Sequence, residues 1–169
     1  MQEILLFLIS SLALTLMPGP DILFVVNQSL EKRKNGIITS LGLCTGLIFH
    51  TMFLVFGLSA LIESNKSLIT FLKYFGTIYL FYLAYIEIKS ENKINKSLDS
   101  KLFLRGLYMN LINPKVLIFF IAYFPNFLFS DTIKISNQFL LLGFVFIFQA
   151  FFVFVSVSLI ANKLIKYTS

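Results

Sequence analysis

Two residues of opposite charge stand inside hydrophobic stretches, each directly after a proline: Asp21 in Met17-Pro18-Gly19-Pro20-Asp21 and Lys115 in Asn110-Leu111-Ile112-Asn113-Pro114-Lys115. Ionisable side chains within a lipid-embedded segment are costly, and they mark cargo sites, proton relays or pairs that close a bundle. A carboxylate can exchange a proton or hold an ammonium group, and an ammonium can hold a carboxylate. The pair therefore has the chemistry to recognise a zwitterion, a pattern that suggests a transporter.

The prolines explain how such residues come to be placed. Proline removes a backbone donor and clashes with the preceding turn, leaving carbonyls that lipid cannot satisfy. A broken helix is thus tolerated only beside protein or a watery cavity. Pro18, Gly19 and Pro20 mark one break and Pro114 the other. Asp21 and Lys115 each open a second half-helix with proline at its first position, and Asn113 is a suitable cap for the later one. The N–H groups released there favour an anion such as a substrate carboxylate. An acid in a first helical turn also relieves the dipole, so structural capping stands beside a proton or substrate role for Asp21. A cation there is opposed by the dipole and by desolvation. Lys115 consequently requires Asp21, a carboxylate ligand or both nearby, unless its stem snorkels to an interface.

The elements carrying these residues are membrane helices. Apolar residues make up 57% of the 169-residue chain, 21 of them Phe, and only 13% are charged. Runs of about 20 apolar residues match a ~30 Å hydrocarbon core. Five spans are expected: Ile4 to Leu30, interrupted at Pro18; Ile37 to Ile62; Leu68 to Ile88; Leu102 to Phe129, interrupted at Pro114; and Phe139 to Ile160. The first span has Glu3 rather than a basic cluster at its amino end and no small-x-small site after it, so it reads as retained rather than as a secretory signal. The fold class is an all-α integral membrane protein.

The net charge of +6 is sorted by loop rather than gathered on one face, which argues for a lipid bilayer and against nucleic acid. Ten cations (Lys32, Arg33, Lys34, Lys89, Lys93, Lys96, Lys101, Arg105, Lys163, Lys166) fall on one side and three (Lys66, Lys73, Lys134) on the other. The expected topology has the amino terminus outside and the carboxyl terminus in the cytoplasm. At ~1.5 Å per helical residue, Asp21 lies roughly 16 Å in from Lys32 and Lys115 roughly 15 Å in from Arg105, so both reach the midplane.

Two broken spans also suggest an inverted repeat. Residues 1–88 form a first repeat of three spans, 89–101 a polar cytoplasmic linker, and 102–169 a second repeat holding two spans. Other polar residues carry less. Asn27 and Gln28, one to two turns beyond Asp21, and Asn110, one turn before Asn113, line the same cavity or make helix-to-helix hydrogen bonds. His50 has no ligand-spaced neighbours, so a packed or interfacial ring competes with a proton relay. Gly42 and Gly46 allow close helix contact, and Tyr79, Tyr82 and Tyr85 face an interface, a packing partner or substrate. The lone Cys44 reads as a packing residue and can build neither a disulfide nor a cysteine metal cluster from this chain. No phosphate loop, dinucleotide fingerprint, zinc spacing or nucleophilic triad is present. No cofactor is expected, and a membrane redox or enzyme subunit has few residues to work with.

At this level the chain resembles the LysE/RhtB amino-acid translocators over nearly its whole length. The likeness runs through Thr15 to Asp21, the basic turn with Gly36, Gly42 and Gly46, Gly57 to Leu61, and Leu72-Lys73 with Gly76 and Tyr79-Leu80. It continues in Gly106 to Asn110, Asn113-Pro114-Lys115, Phe119-Phe120 and Phe124-Pro125. The resemblance implies efflux of small amino acids or relatives such as homoserine, driven by proton antiport. The family usually has a sixth hydrophobic span that is not found here. Two expectations follow from that departure: a homodimer covering the inner face of span five, or a truncated or accessory chain inactive without a partner.

Overall fold

A computed structural model describes residues 2–89 and 101–168, and among them every regular element is helical. The first span is split into α1 (Gln2–Leu16) and α2 (Pro20–Glu31), which meet at 56°. α3 (Arg33–Phe53) runs through a π-helical turn (Leu54–Leu58) into α4 (Ser59–Ser64), and α5 (Lys66–Lys89) follows. The second broken span is α6 (Leu102–Ile112), then α7 (Pro114–Ile118), a further π turn (Phe119–Tyr123) and a 3-10 turn (Phe124–Phe127), bent by 50° at the break. α8 (Ile135–Thr168) closes the bundle.

Among the described residues, two uninterrupted stretches, Arg33–Ser64 and Ile135–Lys163, are long and apolar enough to cross a membrane. The count rises to four if each bent pair is one span. α5, of 24 residues, occupies the place expected for the third span. α8 begins four residues earlier than expected, at Ile135 rather than Phe139. Most of the expected linker, Ser90 to Ser100, lies outside the described residues.

Both breaks follow from pre-proline sterics, which push the preceding residue out of the helical region. Gly19, before Pro20, is fully extended at φ −172° and ψ 177°. Asn113, before Pro114, lies at φ −69° and ψ 110°. The last α1 bond runs from Met17 N to Ala13 O (2.9 Å), and α2 resumes with Leu23 N to Gly19 O (3.0 Å).

α3 is the central helix and packs most extensively on α6, with α2 and α8 on its other sides. The α3–α6 crossing is close because Gly42 lies against the Phe103 carbonyl and Gly106 against the Thr39 carbonyl, where any Cβ would collide with backbone. α8 presents one row to the bundle: Phe139, Leu142, Phe146, Ala150, Phe154, Ser158 and Ala161 are buried. Phe144, Phe148 and Phe152, on its other side, are more than half exposed, as expected of a lipid-facing surface. Phe7, Phe119, Phe120, Phe124, Phe127 and Phe146 make one aromatic core, with Phe7 edge-on to Phe124 at 5.0 Å and Phe120 stacked on Phe124 at 4.7 Å. Tyr82 and Tyr85 are more than half exposed, which leaves them on an outer face rather than toward the bundle interior.

Candidate functional site

The two breaks meet. Asp21, in the first turn of α2, is 5% exposed, and each of its carboxylate oxygens accepts an amide hydrogen from the other broken span. Asn113 Nδ2 donates to Oδ1 at 2.9 Å, and Asn110 Nδ2 donates to Oδ2 at 3.1 Å. An ionised carboxylate has about four lone-pair positions, so the two amides fix its orientation without saturating it.

Asn113 does two jobs. Its side-chain oxygen accepts from Lys115 N at 3.0 Å, capping α7, while its amide nitrogen serves Asp21. The cap takes up an N–H group that the proline break would otherwise leave free for an anion. At α2 the capping residue is Gly19, which brings no side-chain bond.

Lys115 reaches back to the first break. Its ammonium donates to Leu14 O at 3.3 Å and Met17 O at 3.2 Å, the carbonyls released where α1 stops. That end is the negative pole of the α1 dipole, so a cation is stabilised there although it starts from the positive end of α7. Gly19 makes room for it: a Cβ at that position would stand 3.0 Å from Lys115 Nζ.

Asp21, Asn110 and Lys115 line a common cavity of about 20 Å³, with Leu14, Thr15 and an apolar wall from α3, α7 and α8. That volume holds one water, so this is a closed conformation whose walls must part to admit any larger cargo. Asn113 stands behind Asp21 rather than on the wall. His50, buried on α3, has Nε2 at 3.3 Å from the Asn110 carbonyl and its ring 5.3 Å from Phe120. It touches the site through backbone. Gly46 lies against Asn110, leaving space for that side chain where a Cβ would not fit.

Asn27 and Gln28 do not line the cavity. Gln28 shares the buried face of α2 with Asp21 but is about two turns along the axis, and Asn27 is turned off that face. Near them, Ser29 Oγ donates to Ser158 Oγ at 2.9 Å and Asn162 Nδ2 donates to Ser29 O at 2.9 Å, tying α2 to α8. At the α1 end, Gln149 Nε2 donates to Ser11 Oγ at 3.1 Å. Sequence reasoning missed these α8 contacts. The available signal was the set Gln149, Ser158 and Asn162 in an otherwise apolar helix, since polar groups in a span turn to the bundle. Cys44 is buried, and no three His, Cys, Asp or Glu side chains among the described residues gather to hold a metal.

Comparison with known sequences gives the family of the chain. The LysE type translocator family model matches residues 12–169. The chain belongs to that family. It is accordingly a membrane translocator of a small molecule and not an enzyme. It is similar to the homoserine/homoserine lactone efflux protein of Salmonella typhimurium, 29% identical over 144 residues covering 81% of this chain and 69% of that protein. It is also similar to the membrane protein YrhP of Bacillus subtilis, itself uncharacterised, 28% identical over 144 residues covering 76% and 69% respectively. No solved structure matches.

Proposed function

We propose that this LysE-type translocator exports amino acids or close derivatives from the cytoplasm across the bacterial inner membrane in exchange for protons. The observation that carries this reading is the buried Asp21 carboxylate, held by Asn110 and Asn113 from the opposite break and sharing a cavity with Lys115. An amino acid offers an ammonium group to Asp21 and a carboxylate to Lys115, so the two charges fit the part common to all such cargo. Efflux named for the Salmonella relative agrees with that choice.

Exchange follows from competition for one carboxylate. Asp21 holds either a proton or the cargo ammonium, and neutralising the charge in either way lets the site pass through the closed conformation. The spans before and after the linker act as inverted repeats, with the amino terminus outside, so that the aromatic core around Phe7 and Phe124 seals the outer path. The Ser29–Ser158–Asn162 ties then lie on the cytoplasmic path.

The test uses the full chain in liposomes loaded with labelled alanine and threonine, with and without an imposed pH gradient. Wild type releases label in response to the gradient. Asp21→Asn keeps the size but removes the charge and turns one of the two acceptor oxygens into a donor, and its gradient-driven release should fall to that of protein-free liposomes carrying the same label. Undiminished gradient-driven release by Asp21→Asn would refute the exchange mechanism.

A further inference from the structure

The Asn110 carbonyl lies at a place where a hydrogen is missing. In an unbroken helix it would accept from the backbone N–H four residues on, but that residue is Pro114, which has none. The chain fills part of the gap itself, with Asn113 N donating to Asn110 O at 3.1 Å. A second partner comes from another helix: Nε2 of the buried His50, on α3, stands 3.3 Å from the same oxygen. A carbonyl can only accept, so Nε2 carries the hydrogen and donates it. One turn earlier on the same face of α3, Gly46 leaves room for the Asn110 side chain. α3 thus holds both the backbone and the side chain of Asn110, whose Nδ2 donates to Asp21 Oδ2 at 3.1 Å.

We propose that His50 is a positioning residue for transport: its Nε2 hydrogen takes the place of the one Pro114 lacks and, by fixing the Asn110 carbonyl, holds the Asn110 amide on the Asp21 carboxylate. This role rests on the reading of Asp21 given above. His50 does not line the cavity, so it works through Asn110 rather than on the cargo. The carbonyl is a node. Asn113, the other donor to Asp21, bonds it through its backbone N–H, so one imidazole hydrogen steadies the segment from which both amides reach the acid. Removing that hydrogen does not orphan the carbonyl, because the Asn113 bond remains, and the loss falls on the aim of the amides rather than on insertion. The His50 ring also lies 5.3 Å from that of Phe120, so packing is the competing role. The two roles separate cleanly, since packing needs the ring and positioning needs the N–H.

Gradient-driven release of labelled alanine and threonine from liposomes is compared for wild type, His50→Phe, His50→Gln and His50→Asn, with rates normalised to inserted protein. Phenylalanine keeps the ring and loses the hydrogen. Glutamine carries an amide nitrogen as many bonds from the backbone as Nε2, whereas the asparagine amide stops one bond short. His50→Phe and His50→Asn should release label about tenfold more slowly, the scale of one lost hydrogen bond, and His50→Gln should stay close to wild type. A glutamine amide does not take up a proton, so retained gradient-driven release in His50→Gln also excludes a relay through the ring. Infrared difference spectra supply a readout that packing would not move: the carboxyl band that disappears in Asp21→Asn should shift in His50→Phe and keep its position in His50→Gln. Release by His50→Phe at the wild-type rate, an equal loss in His50→Gln, or an unmoved Asp21 band in His50→Phe would each overturn the proposal. If His50→Phe fails to insert, His50→Asn takes its place in both measurements, because it is smaller than histidine and cannot clash. Failure of wild type to release either amino acid would instead overturn the exporter reading beneath it, a result distinguishable because it needs no variant.

Discussion

The two helix breaks solve one physical problem in opposite ways. The second is largely self-sufficient: Asn113 caps α7 from within, and the same side chain still has an amide to lend. The first break borrows. Its capping residue, Gly19, has no side chain, its carbonyls at Leu14 and Met17 are satisfied by Lys115, and its acid is oriented by Asn110 and Asn113. Lys115, Asn110 and Asn113 all belong to the other broken span. Damage at the second break should therefore spread to the first, whereas damage at the first should stay local.

The largest effect is expected from Lys115→Met, which keeps the unbranched stem and removes the ammonium. Two partly buried carbonyls lose their donor, at up to about 1–3 kcal/mol for each group left unsatisfied, and Asp21 loses the cation that shares its cavity. The variant should show a clearly lowered thermal midpoint in detergent together with loss of transport. A midpoint equal to wild type would mean that α1 does not depend on Lys115. Asn113→Ala comes next. It removes a cap, at about 1 kcal/mol, and one hydrogen bond to a carboxylate, at about 1.5–3 kcal/mol. Solvent accessibility of a cysteine introduced at Met17 provides the discriminating measurement. It should rise in Asn113→Ala although the substitution lies in the other span, and unchanged accessibility would break the asymmetry.

The breaks were legible in the sequence because proline leaves a covalent signature: a missing donor, a fixed dihedral and a restricted predecessor. Asp21, Asn110, Asn113 and Lys115 could be assembled from those local rules plus a count of depth. The anchoring of Lys115 could not, because its acceptors at Leu14 and Met17 are backbone carbonyls, which every residue has. Asn27 and Gln28 were placed by proximity along the chain, and the helix turned one of them off the face and carried the other past the site. Ser29 and Ser158 are 129 residues apart in the chain, and hydroxyl groups in spans do not announce their partners.

The smallest effect, and the sharpest test of the comparison, is expected at Gly19. Glycine there is not required by its dihedrals, since an extended backbone is open to any residue, and a serine or aspartate would cap α2 better. What excludes a side chain is the Lys115 ammonium, 3.0 Å from where a Cβ would stand. Gly19→Ala should push Nζ away from the Leu14 and Met17 carbonyls by a few tenths of an ångström and leave α6 and α7 undisturbed. Transport should then fall only a few-fold, because lysine is a flexible donor that can re-aim. Combining Gly19→Ala with Lys115→Met provides the control. If the alanine acts only by crowding the ammonium, it should add nothing once the ammonium is gone, and a double-mutant cycle should show coupling about equal to the whole single-variant effect. Additive effects would mean that Gly19 is kept for another reason, and the first break would then owe less to the second than the geometry indicates.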